Sequence, residues 1–157
     1  MGSKKFDISQ ITDYLYISVY PVSRNAADLQ TLGIGLILNT YHFPLAPVFR
    51  RPPFHSLWLP SADHPWFPMS LNKLQRGVEA ALEVIALGKP VLSNCHAGRH
   101  RSVALACCIL IARGYSASEA MRLVKQKRPS ADPDIWYIKK RILQYATLYQ
   151  PDTRPVL

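Results

Sequence analysis

Residues 94–102 read Asn-Cys-His-Ala-Gly-Arg-His-Arg-Ser. A thiol, Cys95, is followed by Gly98, then Arg101, then Ser102. These types at this spacing fit one chemistry, the capture of a phosphate and the transfer of its phosphoryl group to sulfur. A loop joining a strand to a helix N-terminus aims several backbone N–H groups at one point, and the helix dipole adds positive potential there. Gly98 permits the positive-φ turn that an anion nest needs. Arg101, opening the helix, returns a guanidinium fork to two oxygens of a tetrahedral phosphate. Cys95 sits at the bottom of this bowl, where every one of these groups stabilises a thiolate nucleophile. The expected phosphate cradle is His96, Ala97, Gly98, Arg99, His100 and Arg101. The bland alternative, an inert cysteine in an ordinary turn, leaves the glycine and the arginine without a purpose.

Departure of the leaving group needs a proton donor. Between Leu29 and Val78 the chain has one carboxylate, Asp63, and no glutamate. It stands in Ser61-Ala62-Asp63-His64-Pro65-Trp66, after a strand end, on a loop that can overhang the bowl. His64 is expected to point elsewhere. The roles then follow. Cys95 attacks phosphorus while Arg101 and the loop amides hold the equatorial oxygens. Asp63 protonates the leaving oxygen, and a phosphocysteine forms. Asp63, now ionised, activates the water that hydrolyses it, and the Ser102 hydroxyl assists the departing thiolate. No metal or other cofactor is expected. A zinc set of Cys95, His96, His100 and Cys107 fits no usual ligand spacing.

The elements around the loop must position it. Lys89 to Asn94 reads as a strand and Ser102 to Arg113 as an almost wholly apolar, hence buried, helix. Upstream, Tyr14 to Ile17 reads as a short edge strand, 25–31 as a short helix and Ile34 to Asn39 as a buried strand. Tyr41 to Pro53, with four prolines, reads as loop. Phe54 to Leu59 is strand-like. Ser70 caps a helix to Leu87 whose Leu71, Leu74, Val78, Leu82 and Ile85 share one face. Ser116 and Glu119 form a capping box for a helix to about Arg128. Asp132 and Pro133 open a last helix to about Tyr149, with Trp136 and Tyr137 packed on the sheet. Alternating strands and helices predict an α/β fold, one mainly parallel sheet flanked by helices. Such sheets bind ligands at the carboxyl ends of their strands.

The bulk properties agree. At 157 residues the chain is the size of one domain, taken as 1–157, which rules out a large multi-domain enzyme. The 19 Lys+Arg against 10 Asp+Glu give a net charge of +9, which favours anionic partners. The odd count of 3 Cys is no disulfide framework, so a reducing compartment, the cytoplasm, is expected. No apolar leader and no membrane span is read, and a monomer is expected. The aromatics do not alternate with Lys and Arg as a nucleic-acid stacking surface would, so no nucleic acid is expected as partner. Trp66 and Phe67 fit either a pocket wall or the core. Cys107 and Cys108, on the apolar helix, fit inert core thiols better than partners for an oxidised Cys95.

Cys95 to Ser102 resembles the phosphate-binding loop of the cysteine-dependent phosphatases, whose pattern is His-Cys-x-x-Gly-x-x-Arg-Ser/Thr. Residue order separates the families that share it. The low-molecular-weight tyrosine phosphatases carry the cysteine near the N-terminus, and the large tyrosine-specific enzymes have far longer catalytic domains. Asp63 stands 32 residues before Cys95, and the dual-specificity phosphatases, similar in size to this chain, carry their acid about thirty residues before the cysteine. Tyr14-Leu15-Tyr16-Ile17 resembles that family's opening strand, Leu38-Asn39-Thr40 a strand end, and Glu119-Ala120 with Arg128-Pro129 a downstream segment. The chain is therefore identified as a dual-specificity-like phosphatase of the atypical type. Asn94 departs from the family's histidine, and the expected effect is a less supported thiolate in an active enzyme.

The resemblance implies phosphotyrosine and phosphoserine/threonine in proteins as substrates. His96, Arg99 and His100 make the loop unusually basic. They resemble the loop of tensin-homologue phosphoinositide phosphatases, and Arg99-His100-Arg101 resembles that of the inositol pyrophosphate phosphatases of plants and fungi. A phosphoinositide or inositol polyphosphate is therefore the alternative substrate. The alternative of another class is a phosphate-binding module without turnover.

Overall fold

The computed structural model describes residues 4–149. Five strands form one sheet in the order β1-β2-β5-β3-β4: β1 Ile8–Thr12, β2 Leu15–Ser18, β3 Leu36–Asn39, β4 His55–Trp58 and β5 Val91–Asn94. All pairings are parallel except β1 with β2. The helices are α1 Ala26–Thr31, α2 Leu71–Ala86, α3 Arg101–Ala112, α4 Ala117–Lys127 and α5 Trp136–Tyr149. The mainly parallel α/β architecture expected from the sequence is the one found.

The three central strands, β2, β5 and β3, are buried on both faces, and their two-residue period divides the core. Leu15, Ile17, Leu36, Leu38 and Val91 face the layer of α2 to α5. Tyr16, Ile37 and Leu92 face the other side, where Leu29, Ile34, Leu45, Phe49 and Phe54 cover the sheet. Helix α3 is buried along Arg101 to Ile111. It packs on β2 and β5 and is enclosed by α2, α4 and α5. Ser70 accepts from the Lys73 N–H, and Ser116 and Glu119 close the capping box at α4.

The structure corrects three expectations. The strand at Leu15–Ser18 is not an edge, because β1 lies outside it. The register of β1 shifts between Gln10 and Thr12. That irregularity breaks the alternation that would betray a strand. The proline-rich segment is not all loop, since Pro47–Arg50 makes one 3-10 turn with proline at its start. The last helix begins at Trp136, not at Asp132. The Asp132 N–H is held by Arg99 O at 2.9 Å, which keeps this stretch in a turn beneath the loop. Among the described residues, no helix is long and apolar enough to cross a membrane.

Because α3 carries the loop's arginine and is the hub of the helical layer, its packing sets the site. Leu105, fully buried on α3, is the probe. Leu105→Ala is expected to destabilise the fold by about 2–5 kcal/mol, read as a lower urea midpoint at unchanged slope.

Candidate active site

The loop between β5 and α3 forms a bowl at the carboxyl end of the sheet. Cys95 lies at its floor, 2% exposed. Its Sγ is 3.1 Å from Ser102 Oγ. Arg101 is 6% exposed. Its Nη1 donates to Ser61 O at 2.7 Å, and its guanidinium lies 5.4 Å from the Tyr41 ring centroid. Its Nε is buried and has no partner among the described residues.

Amides that converge on an anion require carbonyls that point away from it, and buried carbonyls need donors. The loop's carbonyls find them one by one. Thr40 donates to Asn94 O through both its N–H and its hydroxyl. Tyr20 N–H donates to His96 O, Asp132 N–H to Arg99 O, and Ala104 N–H to His100 O. Arg128 serves the two in between. Its Nη2 donates to Ala97 O and its Nε to Gly98 O at 2.8 Å. The same guanidinium, 1% exposed, meets Asp7 at 2.9 Å and Ser9 at 3.0 Å on the β1 side. Gly98 takes φ 66°, and a Cβ there would lie 2.7 Å from both Ser18 O and Arg128 Nη2. Neither the dihedral nor the space admits a side chain.

Asp63 is brought to the rim of this bowl. Its Oδ2 is 2.7 Å from His100 Nδ1, and its Oδ1 accepts from the Tyr137 hydroxyl at 2.7 Å. Half-burial pushes its carboxyl up, but the bonds from His100 and Tyr137 and the charge of Arg101 outweigh this and hold it below the ordinary value. Burial and then the Asp63 charge push the Tyr137 phenol up to about 12. The phenol is therefore a donor at neutral pH.

The remaining candidates separate. Cys95 meets Ser102, and Asp63, bonded to His100, feels the charge of Arg101. Of the basic loop residues, His100 is turned to Asp63 and Arg99 donates to Ser130 O at 3.1 Å. Only His96 leans on the mouth, its ring 5.2 Å from that of Tyr41. His64 Nδ1 accepts from Trp66 N–H within its own loop. Trp66 and Phe67 are exposed, so the core reading of them is withdrawn. Trp136 is also exposed, not packed on the sheet. Tyr137 joins the helical core, and its hydroxyl serves Asp63. Asn94 donates to Asn39 Oδ1 at 3.0 Å, linking β5 to β3. Cys107 and Cys108 are fully buried, and burial pushes both thiols well up. Among the described residues, no three His, Cys, Asp or Glu converge as a metal site requires. Sequence reasoning gave no site role to Arg128, Tyr137 or Tyr41. Only the Arg128-Pro129 pair carried a signal.

Known proteins supply the comparison. The family described as the dual specificity phosphatase catalytic domain matches residues 15–147. Phosphatidylglycerophosphate phosphatase PTPMT2 of Arabidopsis thaliana is 28% identical over 125 residues, 76% of this chain and 54% of that protein. Human dual specificity protein phosphatase 16 is 29% identical over 137 residues, 83% of this chain and 19% of that protein. The chain thus spans about half of the first relative and about a fifth of the second. A mouse protein described as a dual specificity phosphatase and crystallised with zinc tungstate superposes with a TM-score of 0.83 at 25% identity, over 94% of this chain and 91% of that one. The family match runs from β2 to α5 and takes in Asp63, the whole 94–102 loop and Arg128. The chain belongs to the dual specificity phosphatase catalytic-domain family, within the cysteine-dependent tyrosine phosphatase superfamily.

Proposed function

We propose that this phosphatase hydrolyses phosphotyrosine and phosphoserine/threonine in proteins through a phosphocysteine. The observation that carries the phosphate chemistry is Arg101 Nε. It is buried and unpartnered among the described residues, and Arg101 opens the helix that follows the cysteine loop. A buried guanidinium nitrogen left without an acceptor is costly unless a ligand completes it. A phosphate oxygen supplies that acceptor.

Cys95 Sγ forms a bond to phosphorus as the P–O bond to the leaving group breaks, and the Asp63 proton goes to that oxygen. Water then attacks the phosphocysteine, gives its proton to Asp63, and the P–S bond breaks to return the thiolate beside Ser102. Asp63 must start protonated. Its carboxyl is held below the ordinary value, so the alkaline limb of kcat/KM is expected on the acid side of neutrality.

Protein substrates come first for a structural reason. A substrate with several phosphates needs cations aimed at the rim, and His100 is turned to Asp63 while Arg99 Nε is turned to Ser130 O. A phosphoinositide or inositol polyphosphate is the second reading. It is favoured by the exposed His96 beside Tyr41 and by the lipid named for the Arabidopsis relative. Residues 1–157 are read as one catalytic domain, monomeric and cytoplasmic, where a reduced Cys95 persists.

Turnover of 4-nitrophenyl phosphate tests the reading against a binding module. Cys95→Ser is expected to lower it by roughly 10³-fold or more; a fully active variant would sink the phosphocysteine. Phosphotyrosine peptide, phosphoserine peptide, phosphoinositides and inositol polyphosphates assayed side by side rank the substrate classes, and a preference for the last two would overturn the protein reading. Gly98→Ala tests the cradle. Its Cβ would meet the Ser18 carbonyl, so the variant is expected to lose most turnover together with several degrees of melting temperature.

A further inference from the structure

We propose that His100 and Tyr137 are positioning residues for Asp63, holding one carboxylate oxygen each so that the acid is aimed by the phosphate cradle itself. The proposal rests on the reading of Asp63 as the proton donor. Asp63 lies between β4 and α2, in the stretch 59–70, which forms no helix or strand. A carboxylate on such a segment has no intrinsic aim. Here the segment is fastened at two places. Ser61 O takes Arg101 Nη1 at 2.7 Å. Two residues on, Asp63 takes His100 on Oδ2 and Tyr137 on Oδ1, both at 2.7 Å.

Residues 100 and 101 belong to the loop and helix that wrap the phosphate. The parts that bind the anion therefore also fix the height and direction of the proton donor. A displacement of about 1 Å at a reacting group is enough to cost large rate factors. An ordinary surface ion pair would leave the carboxylate free to rotate about its last bond. With both oxygens held, one from the loop and one from α5, it is not free.

The surroundings of His100 are few. Asp63 faces it from the 59–70 segment, Asp132 Oδ2 lies 3.9 Å from its Nε2, and the Tyr137 ring is 6.1 Å away. Arg101 is its chain neighbour. Both donors favour the ionised form of Asp63. Removing one therefore does two separable things. It loosens the aim, which slows reactions that need a strong proton donor. It also makes Asp63 a weaker acid, so the carboxyl stays protonated to higher pH.

The test compares phenyl phosphate, whose leaving group needs the proton, with 4-nitrophenyl phosphate, whose leaving group needs it less. The full chain is assayed as wild type, His100→Ala, His100→Asn, Tyr137→Phe and Asp63→Asn. His100→Ala and Tyr137→Phe are each expected to slow phenyl phosphate by about tenfold, a part of the whole general-acid contribution. The 4-nitrophenyl ester should lose much less, and the alkaline limb of kcat/KM should move to higher pH. His100→Asn keeps an N–H at similar reach and should recover most of the phenyl phosphate rate. In the Asp63→Asn background, His100→Ala should add no further leaving-group selectivity. Equal losses on both esters, or an unmoved alkaline limb, would overturn the proposal while leaving the phosphatase reading intact. An Asp63→Asn variant without leaving-group selectivity would overturn the acid assignment and this inference with it, whereas an active Cys95→Ser would remove the phosphocysteine on its own.

Discussion

A nest of inward-pointing amides exists only if its carbonyls are satisfied on the outside. That constraint organises this protein. A buried carbonyl left without a donor costs about 1–3 kcal/mol, and six carbonyls from Asn94 to His100 are turned to donors from the ends of β3, β2 and α4, from α3 and from the 130–135 turn. Arg128 closes the two central ones, and its own charge is closed by Asp7. The shape of the loop is thus a property of the fold. In the proposed reaction such preorganisation lets the amides stabilise transferred charge without reorganising.

The same constraint explains why distant segments are tied to one loop. Thr40, at the end of β3, donates to Asn94 O, and Asn39 beside it takes the Asn94 amide. Trp58 of β4 donates to Tyr41 O, setting the residue whose ring faces Arg101. Gly98 has no side chain because Ser18 and Arg128 fill the space. Each of these contacts fixes a dihedral or a ring on the wall of the bowl, and none of them touches the sulfur.

What the sequence disclosed and what it hid follow from range. The thiol, Gly98, Arg101 and Ser102 sit within eight residues, so their common purpose is legible from spacing alone. The capping box at Ser116 and Glu119 and the cap at Ser70 are equally local, and both are present. Arg128 reaches residues 97 and 98 and also Asp7, about 120 positions away, and no local pattern encodes that. Trp136 and Tyr137 are neighbours with opposite fates, one in solvent and one bonded to Asp63. Which of two adjacent aromatics turns inward depends on where α5 begins, and Asp132 decides that by binding Arg99 O. β1 escaped because its irregular register removes the period-two signature.

Asn94 stands where the family's pattern has histidine. Its amide is committed to Asn39, and the side chain that meets the sulfur is Ser102, whose Oγ lies 3.1 Å from it. Asp63 carries a matching asymmetry. A carboxyl held below its ordinary value gives its proton readily to a leaving oxygen, yet as a base toward water it is weak. On the proposed phosphocysteine route, the two halves of the reaction therefore ask for help in different places. The first gains from Asp63 and the guanidinium of Arg101. The second gains from Ser102 Oγ, 3.1 Å from the sulfur, which can donate to the thiolate as the P–S bond opens and so lighten the demand on the water's base. On that route Ser102 offsets the weakness of Asp63 as a base.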